Sequence, residues 1–317
     1  MMKTRRDFVK LTALAAIGTI PFNGMSNPLF RSLSELKTDL DVSIFSKHLQ
    51  FLDYESTGSM AAEMGFSGVD LTVRPKGHVE PKNVIEILPK AIQAIQKGGS
   101  LCKMITTSIE SISNPLDVDI IKTAAQENVE FYRTNWFGYK EEISMQESLI
   151  GYAEEVRKLG ELNKEAGIIG CYQNHVGVHV GASFWEIKKI LETVDPKYFG
   201  TQYDIRHAAV EGGISWKNGL RLLQSHIKVI VLKDYLWKQI NGTWKLVNVP
   251  IGEGMVDFDT YFKLLKKYGL KPPVSLHLEY DLGGAEKGNR TISVDKKVVY
   301  DAMKKDLKAI NILWKKA

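Results

Sequence analysis

The sequence predicts an α/β protein built as one closed (β/α)₈ TIM barrel, and three observations carry that expectation. Eight short apolar runs recur along the body of the chain, amphipathic segments of helical length separate them, and ionisable residues gather where the runs end. The runs are Val42 to Phe45, Gly68 to Val73, Leu101 to Ile105, Val129 to Tyr132, Ile168 to Tyr172, Thr201 to Asp204, Val229 to Leu232 and Val274 to Glu279. Among the helical segments, Glu147 to Ala166 places Leu149, Tyr152, Ala153, Val156, Leu159 and Leu162 on one face, with Glu and Lys opposite. Gly65, Gly167 and Gly269 stand where such segments should stop, just before the next strand. Eight units over about 275 residues match the count and size of a closed barrel. An open doubly wound sheet would carry a glycine-rich dinucleotide loop after its first strand, and none follows Phe45.

The chain begins differently. Thr4-Arg5-Arg6-Asp7-Phe8-Val9-Lys10 resembles a twin-arginine export motif, and Leu11 to Ile20 has the length of a signal h-region, too short to span a bilayer. Residues 1–30 are therefore expected to be a twin-arginine signal peptide and linker, and residues 31–317 the barrel. The expected location is the periplasm, with the export machinery as a partner and with tethering by an uncleaved signal as the alternative. Of the formal charge of +5, the first ten residues hold Lys3, Arg5, Arg6 and Lys10 against Asp7, a local +3, so the body carries +2. Such a body lacks the basic footprint of a nucleic-acid binder. Cys102 and Cys171 form no CxxC pair and read as buried thiols.

A barrel of this kind works at the carboxyl ends of its strands. The first run leads into His48, the second into Arg74 and His78, the fourth into Arg133 and Trp136, the fifth into Gln173, Asn174 and His175, the sixth into Asp204 and His207, and the seventh into Lys233; the eighth holds His277 and Glu279. Polar groups converging from so many strand ends point to a pocket. Alternation puts Cys171, Gln173 and His175 on one face of their strand, Gln202 with Asp204, Val231 with Lys233, and Ser275 with His277 and Glu279. Inward faces would bring Gln173, Asp204 and Glu279 together with histidines nearby, an oxygen-rich set suited to Mn²⁺, Co²⁺, Zn²⁺ or Mg²⁺. The alternative is that Asp204 and Glu279 pair with Lys233 or Arg206 and bind nothing.

Tyr172 to His175, Tyr203 to His207, Leu232 to Tyr235, Pro250 to Phe258 and Leu278 to Tyr280 follow one another in an order and spacing that resembles the xylose isomerase-like barrel family of sugar phosphate isomerases and epimerases. The resemblance implies one divalent metal held by a glutamate, an aspartate, a histidine and a glutamate after strands five to eight, with the two glutamates as acid and base. By position the aspartate is Asp204 and the last glutamate Glu279. Gln173 stands where the first glutamate is expected and Val231 where the histidine is expected. Glutamine keeps a carbonyl oxygen for a metal, whereas valine cannot ligate, so the expected metal ligands become Gln173, His175, Asp204 and Glu279, with His207 as the other imidazole available.

Glutamine also cannot abstract a proton. Glu279 is left as the base, with His175, His207, His277 and Lys233 as proton donors, while His48, Arg74, His78 and Arg133 would hold hydroxyls and Trp136 would stack on a sugar. Removal of a proton next to a carbonyl opens isomerisation, epimerisation or β-elimination, and the resemblance extends to lyases acting on 3-keto-glycosides. The expected partner is a small carbohydrate. Two classes stand side by side: a metal-assisted sugar isomerase, epimerase or lyase, and a non-catalytic periplasmic sugar-binding protein that has lost two ligand positions. Nothing in the sequence sets the oligomeric state.

Overall fold

The computed structural model describes residues 40–317. The expected signal peptide, its twin-arginine segment and the linker lie outside the described residues. Eight parallel strands close on themselves: β1 (Val42–Phe45), β2 (Gly68–Val73), β3 (Met104–Thr107), β4 (Phe131–Arg133), β5 (Ile169–Gln173), β6 (Phe199–Asp204), β7 (Ile227–Leu232) and β10 (Val274–Leu276). Their order around the ring is the chain order, with β10 closing between β7 and β1. Helices α1 (Tyr54–Met64), α2 (Val84–Lys97), α3 (Pro115–Gln126), α4 (Met145–Ala166), α5 (Phe184–Ile190), α6 (Ile205–Gly212), α7 (Trp216–Leu223), α8 (Phe258–Lys267) and α9 (Lys296–Lys316) alternate with the strands. The strands read as near-continuous apolar runs because helices cover one face and barrel filling the other.

Local chemistry sets the boundaries. Asp53 caps α1 through Ser56 N at 2.7 Å, and Ser144 with Glu147 forms a capping box at the start of α4. Gly65 and Gly167 end α1 and α4 with φ of 92° and 78°, left-handed values that cost glycine nothing. Several stretches differ from the sequence expectation: the fourth strand is Phe131–Arg133 rather than Val129 to Tyr132, and the last ends at Leu276 rather than Glu279. The third strand starts at Met104 rather than Leu101, whose side chain is 47 % exposed. A two-stranded antiparallel hairpin, β8 (Asp234–Ile240) and β9 (Thr243–Val249), leaves the ring after β7. Asn241 and Gly242 turn it with φ of 51° and 77°, the pair of positive angles that a two-residue hairpin turn requires.

Inside the ring, Met104, Cys171 and Val229 form an apolar plug with Phe131 and Ile169 against it. Polar side chains lie above that plug, toward the carboxyl ends of the strands. Both cysteines are buried and free.

Candidate active site

The strand ends meet around a narrow cleft of about 70 Å³ lined by Lys47, Arg74, Arg133, Gln173, Lys233 and Glu279, with Phe45, Trp136, His175 and His277 completing the wall. A larger groove of about 560 Å³ beside Tyr54 and Tyr300 lies among the outer helices, away from the strand ends.

Lys233 is the centre of the arrangement. Residues 231 and 233 share a face of β7 and its extension, so Val231 packs in the barrel while Lys233 rises toward the cleft. The Lys233 ammonium lies 3.1 Å from Asp204 Oδ2, 3.5 Å from Glu279 Oε2 and 2.7 Å from His207 Nε2. Asp204 ends β6 and caps α6 by accepting from His207 N at 3.1 Å. Gln173 donates its amide N–H to Asp204 Oδ2 at 2.8 Å. Asn174 clasps the Asp204 backbone, donating to its carbonyl at 2.9 Å and accepting from its N–H at 2.8 Å. Complete burial pushes the Asp204 carboxyl up from its ordinary range, against the pull of Lys233 and the His207 N–H.

Glu279 is a quarter exposed and faces two lysines, Lys233 at 3.5 Å and Lys47 at 3.6 Å. Burial would raise its pKa, but Lys233, His277 and Lys47 together outweigh that and hold it well below the usual range. The group is therefore an ionised carboxylate at neutral pH. His277 Nδ1 stands 3.8 Å from Glu279 Oε1, while its other nitrogen lies 3.1 Å from Ser275 Oγ, which donates to Asp70 Oδ2 at 2.6 Å. Burial pushes the His277 pKa down to about 3, so the ring is neutral.

Three expected site residues stand elsewhere. His48 is fully buried, accepts from Leu278 N at 3.0 Å and faces Ala285 O at 3.4 Å, so it ties together backbone that has left the ladder after β10 and does not line the cleft. His78 turns away from the cleft and meets Ser46 Oγ at 3.1 Å. His207 lies behind Lys233, with Arg206 Nη1 3.0 Å from its other nitrogen; burial, then Lys233, His175 and Arg206, hold it neutral. Arg74, Arg133, Trp136, Gln173, His175, Lys233, His277 and Glu279 do face the cleft, and Asp204 supports it from behind. Lys47 and Phe45 are cleft residues that the sequence reading did not select. The one local signal for Lys47 was a cation just after a strand end, because Ser46–Leu49 is a 3₁₀ turn in which strand alternation no longer holds.

The donor set does not fit the expected metal. Among the described residues, no three or more His, Cys, Asp or Glu side chains come together as a metal-holding group. Gln173 spends its N–H on Asp204 Oδ2, the same oxygen that faces the Lys233 ammonium, so that carboxylate oxygen is already taken by two donors. His175 bonds Val176 O through Nδ1 at 2.8 Å and packs against the Trp136 and His207 rings. The position between Asp204 and Glu279 belongs to the Lys233 ammonium. This corrects the expectation of a Gln173, His175, Asp204 and Glu279 centre, and it matches the alternative in which the carboxylates pair with lysine.

The Pro250-to-Phe258 motif has a structural role. The Asp234 carboxylate accepts from the N–H groups of Tyr235, Gly252, Gly254 and Val256 at 2.8 to 3.1 Å, fastening the loop beyond the hairpin. A Cβ at position 254 would stand 2.3 Å from Asp234 Oδ1, so only glycine lets the backbone approach so closely.

Comparison with known proteins gives the same frame. A family model described as xylose isomerase-like TIM barrel matches residues 58–294. Inosose dehydratase of Mesomycoplasma hyopneumoniae is 34% identical over 103 residues, 32% of this chain and 33% of that protein, so the chain spans about a third of the length of the curated relatives it matches. D-psicose 3-epimerase from Clostridium cellulolyticum superposes with a TM-score of 0.65 at 13% identity, covering 87% of this chain and 99% of its own. The 3-keto-D-glucoside 4-epimerase of E. coli superposes with a TM-score of 0.62 at 12% identity, covering 80% and 97%. At such identities the structural likeness concerns the fold alone.

Proposed function

Since the chain belongs to the xylose isomerase-like TIM barrel family, we propose that it is an enzyme of the sugar isomerase and epimerase type, removing a proton from the carbon next to the carbonyl of a sugar or keto-sugar. The observation that carries this reading is the ionised Glu279 carboxylate at a cleft whose opposite side is the Lys233 ammonium, 3.5 Å away.

Glu279 accepts the α-proton, and the electron pair moves onto the carbonyl oxygen, whose growing negative charge faces Lys233. A carbonyl drawn onto Lys233 also takes that cation partly away from Glu279, which raises the basicity of the carboxylate when the proton is to be taken. The cleft is smaller than a hexose, so binding requires Lys47 to swing outward on its flexible chain. No step runs through a metal ion, because the donor set does not suit one.

Gln173 favours a second reading within the same chemistry. An amide neither takes nor returns a proton, so the cleft has one carboxylate base where symmetric epimerisation uses two. Loss of a β-substituent from the enolate needs fewer acid–base partners, and the partial match to a dehydratase agrees with that outcome. A 3-keto-glycoside is a substrate with both the carbonyl and the leaving group, and it is one that an enzyme exported by the twin-arginine route would meet.

The test is a panel of ketoses and 3-keto-glycosides incubated in deuterated water. Deuterium at the α-carbon, or loss of the α-hydrogen together with the β-substituent to give an enone, is the expected result. Sugars that bind without any exchange would replace the enzyme by a binding protein.

A further inference from the structure

Four cations, Lys47, Arg74, Arg133 and Lys233, line the cleft against the single carboxylate of Glu279. Glu279 is shared by the two lysines, and Asp204 is held by Lys233. Asp70, deeper in the barrel, gives its oxygens to the hydroxyls of Thr106 and Ser275. Neither arginine has a carboxylate within 4.0 Å among the described residues. Arg74 lies over the Phe45 ring and Arg133 over the Trp136 ring, 5.5 and 4.3 Å from the centroids.

Arg133 is the sharper case. It is 4 % exposed, its Nη2 reaches only Thr107 O at 3.5 Å, and its Nη1 has no partner. Trp136 Nε1, on the same wall, is also without one. Burial, then the neighbouring Arg74, pushes the Arg133 pKa down to about 9, which leaves it charged at neutral pH. Asp70 and Glu279 attract this guanidinium only from beyond 4.0 Å, and a buried guanidinium with no directly paired carboxylate costs free energy that a hydroxyl-binding site has no reason to bear. An anion delivered by a ligand removes that cost.

We infer that the sugar accepted by this cleft carries a carboxylate, as uronates and keto-acid sugars do, seated against Arg133 and Arg74 with its carbonyl toward Lys233. The inference rests on the proposed reading of the cleft as a sugar site and names the substrate class. A planar carboxylate matches the guanidinium fork with two parallel N–H bonds and takes less room than a phosphoryl group, which matters in a space this small.

Calorimetric titration with 5-keto-D-gluconate, D-fructose and D-fructose 6-phosphate tests it at low and high salt. The keto acid is expected to bind at least about tenfold more tightly than fructose, as a charge-assisted hydrogen bond implies, with the preference shrinking as salt rises. Arg133→Met is expected to erase the preference while leaving the melting temperature unchanged or higher, because it removes a buried unpaired charge; Arg133→Lys should retain part of the preference. Equal or tighter binding of fructose overturns the proposal, and so does a phosphate ester binding tightest. A destabilised Arg133→Met protein that still prefers the keto acid would also overturn it, by making Arg133 a structural partner of Trp136. Deuterium exchange keeps the two readings apart. Exchange on neutral ketoses with no anion preference removes this inference and leaves the enzyme, whereas tight keto-acid binding without exchange does the reverse.

Discussion

The ammonium of Lys233 lies 3.1 Å from the carboxylate of Asp204 with the two side chains 3 % and 0 % exposed, so the two form a buried ion pair inside the barrel. Lys233→Met leaves Asp204 buried without its cation. It should cost about 3–5 kcal/mol of stability, the usual penalty for breaking one side of a buried pair. Lys233→Met with Asp204→Asn should recover most of the loss, because neither charge is then stranded. Urea melts of the two variants check this, and equal losses would show that the pair is not coupled.

Glu279 is more exposed and is not needed to satisfy Asp204. Glu279→Gln should therefore fold and melt close to the parent while α-proton exchange falls by about 10²–10⁴, the range for loss of a positioned base. Deuterium incorporation followed by mass spectrometry gives the rate. Exchange that survives the substitution would move the base to another residue.

Val231, and the Asp204 oxygen already shared by Gln173 and Lys233, leave too few ligands for a divalent ion, and Lys233 supplies the positive charge where one would sit. Cobalt titration of the purified protein is expected to give no ligand-field bands, and chelator treatment is expected to leave exchange rates unchanged. A stoichiometric cobalt spectrum would contradict the assignment of Lys233 as the resident cation.

Asp306 on α9 accepts from Ile251 N at 3.2 Å and from the Tyr280 hydroxyl at 3.0 Å, joining the last helix to the loop after the hairpin and to the segment that follows Glu279. Burial raises its pKa from 3.8 to about 7. The folded state binds the proton more tightly than the unfolded chain does. This contribution to stability is therefore whole below about pH 4 and is lost as pH rises toward 7. Asp306→Asn should flatten this part of the pH–stability profile and stabilise the protein at pH above 7. Thermal melts across the range would register it, and an unchanged slope would place the titration elsewhere.

The strand count, the helical faces and the gathering of polar groups at the strand ends were legible because each rests on spacing along the chain. The Asn241-Gly242 turn pair is a local signal too, with Trp244 and Leu246 alternating after it, but Tyr235, Leu236 and Trp237 run consecutively before it, so no strand alternation leads into the turn. His48 and His78, like Arg74 and Arg133, look in sequence like polar residues that follow a strand. His48 faces inward to Leu278 N because β10 stops at Leu276, and where a strand stops depends on the neighbour that leaves it.

By itself the sequence determined the ring of eight strands and which side chains could reach its mouth, because a period of two or of 3.6 residues is a local property. Only the tertiary structure decided that Lys233 joins Asp204 to Glu279, that Gln173 gives its N–H to Asp204, and that Arg133 is buried with no carboxylate within 4.0 Å. Each is a matter of which groups meet across strands far apart in the chain, and in a closely packed interior that meeting sets whether a charge is paired, stranded or left for a ligand.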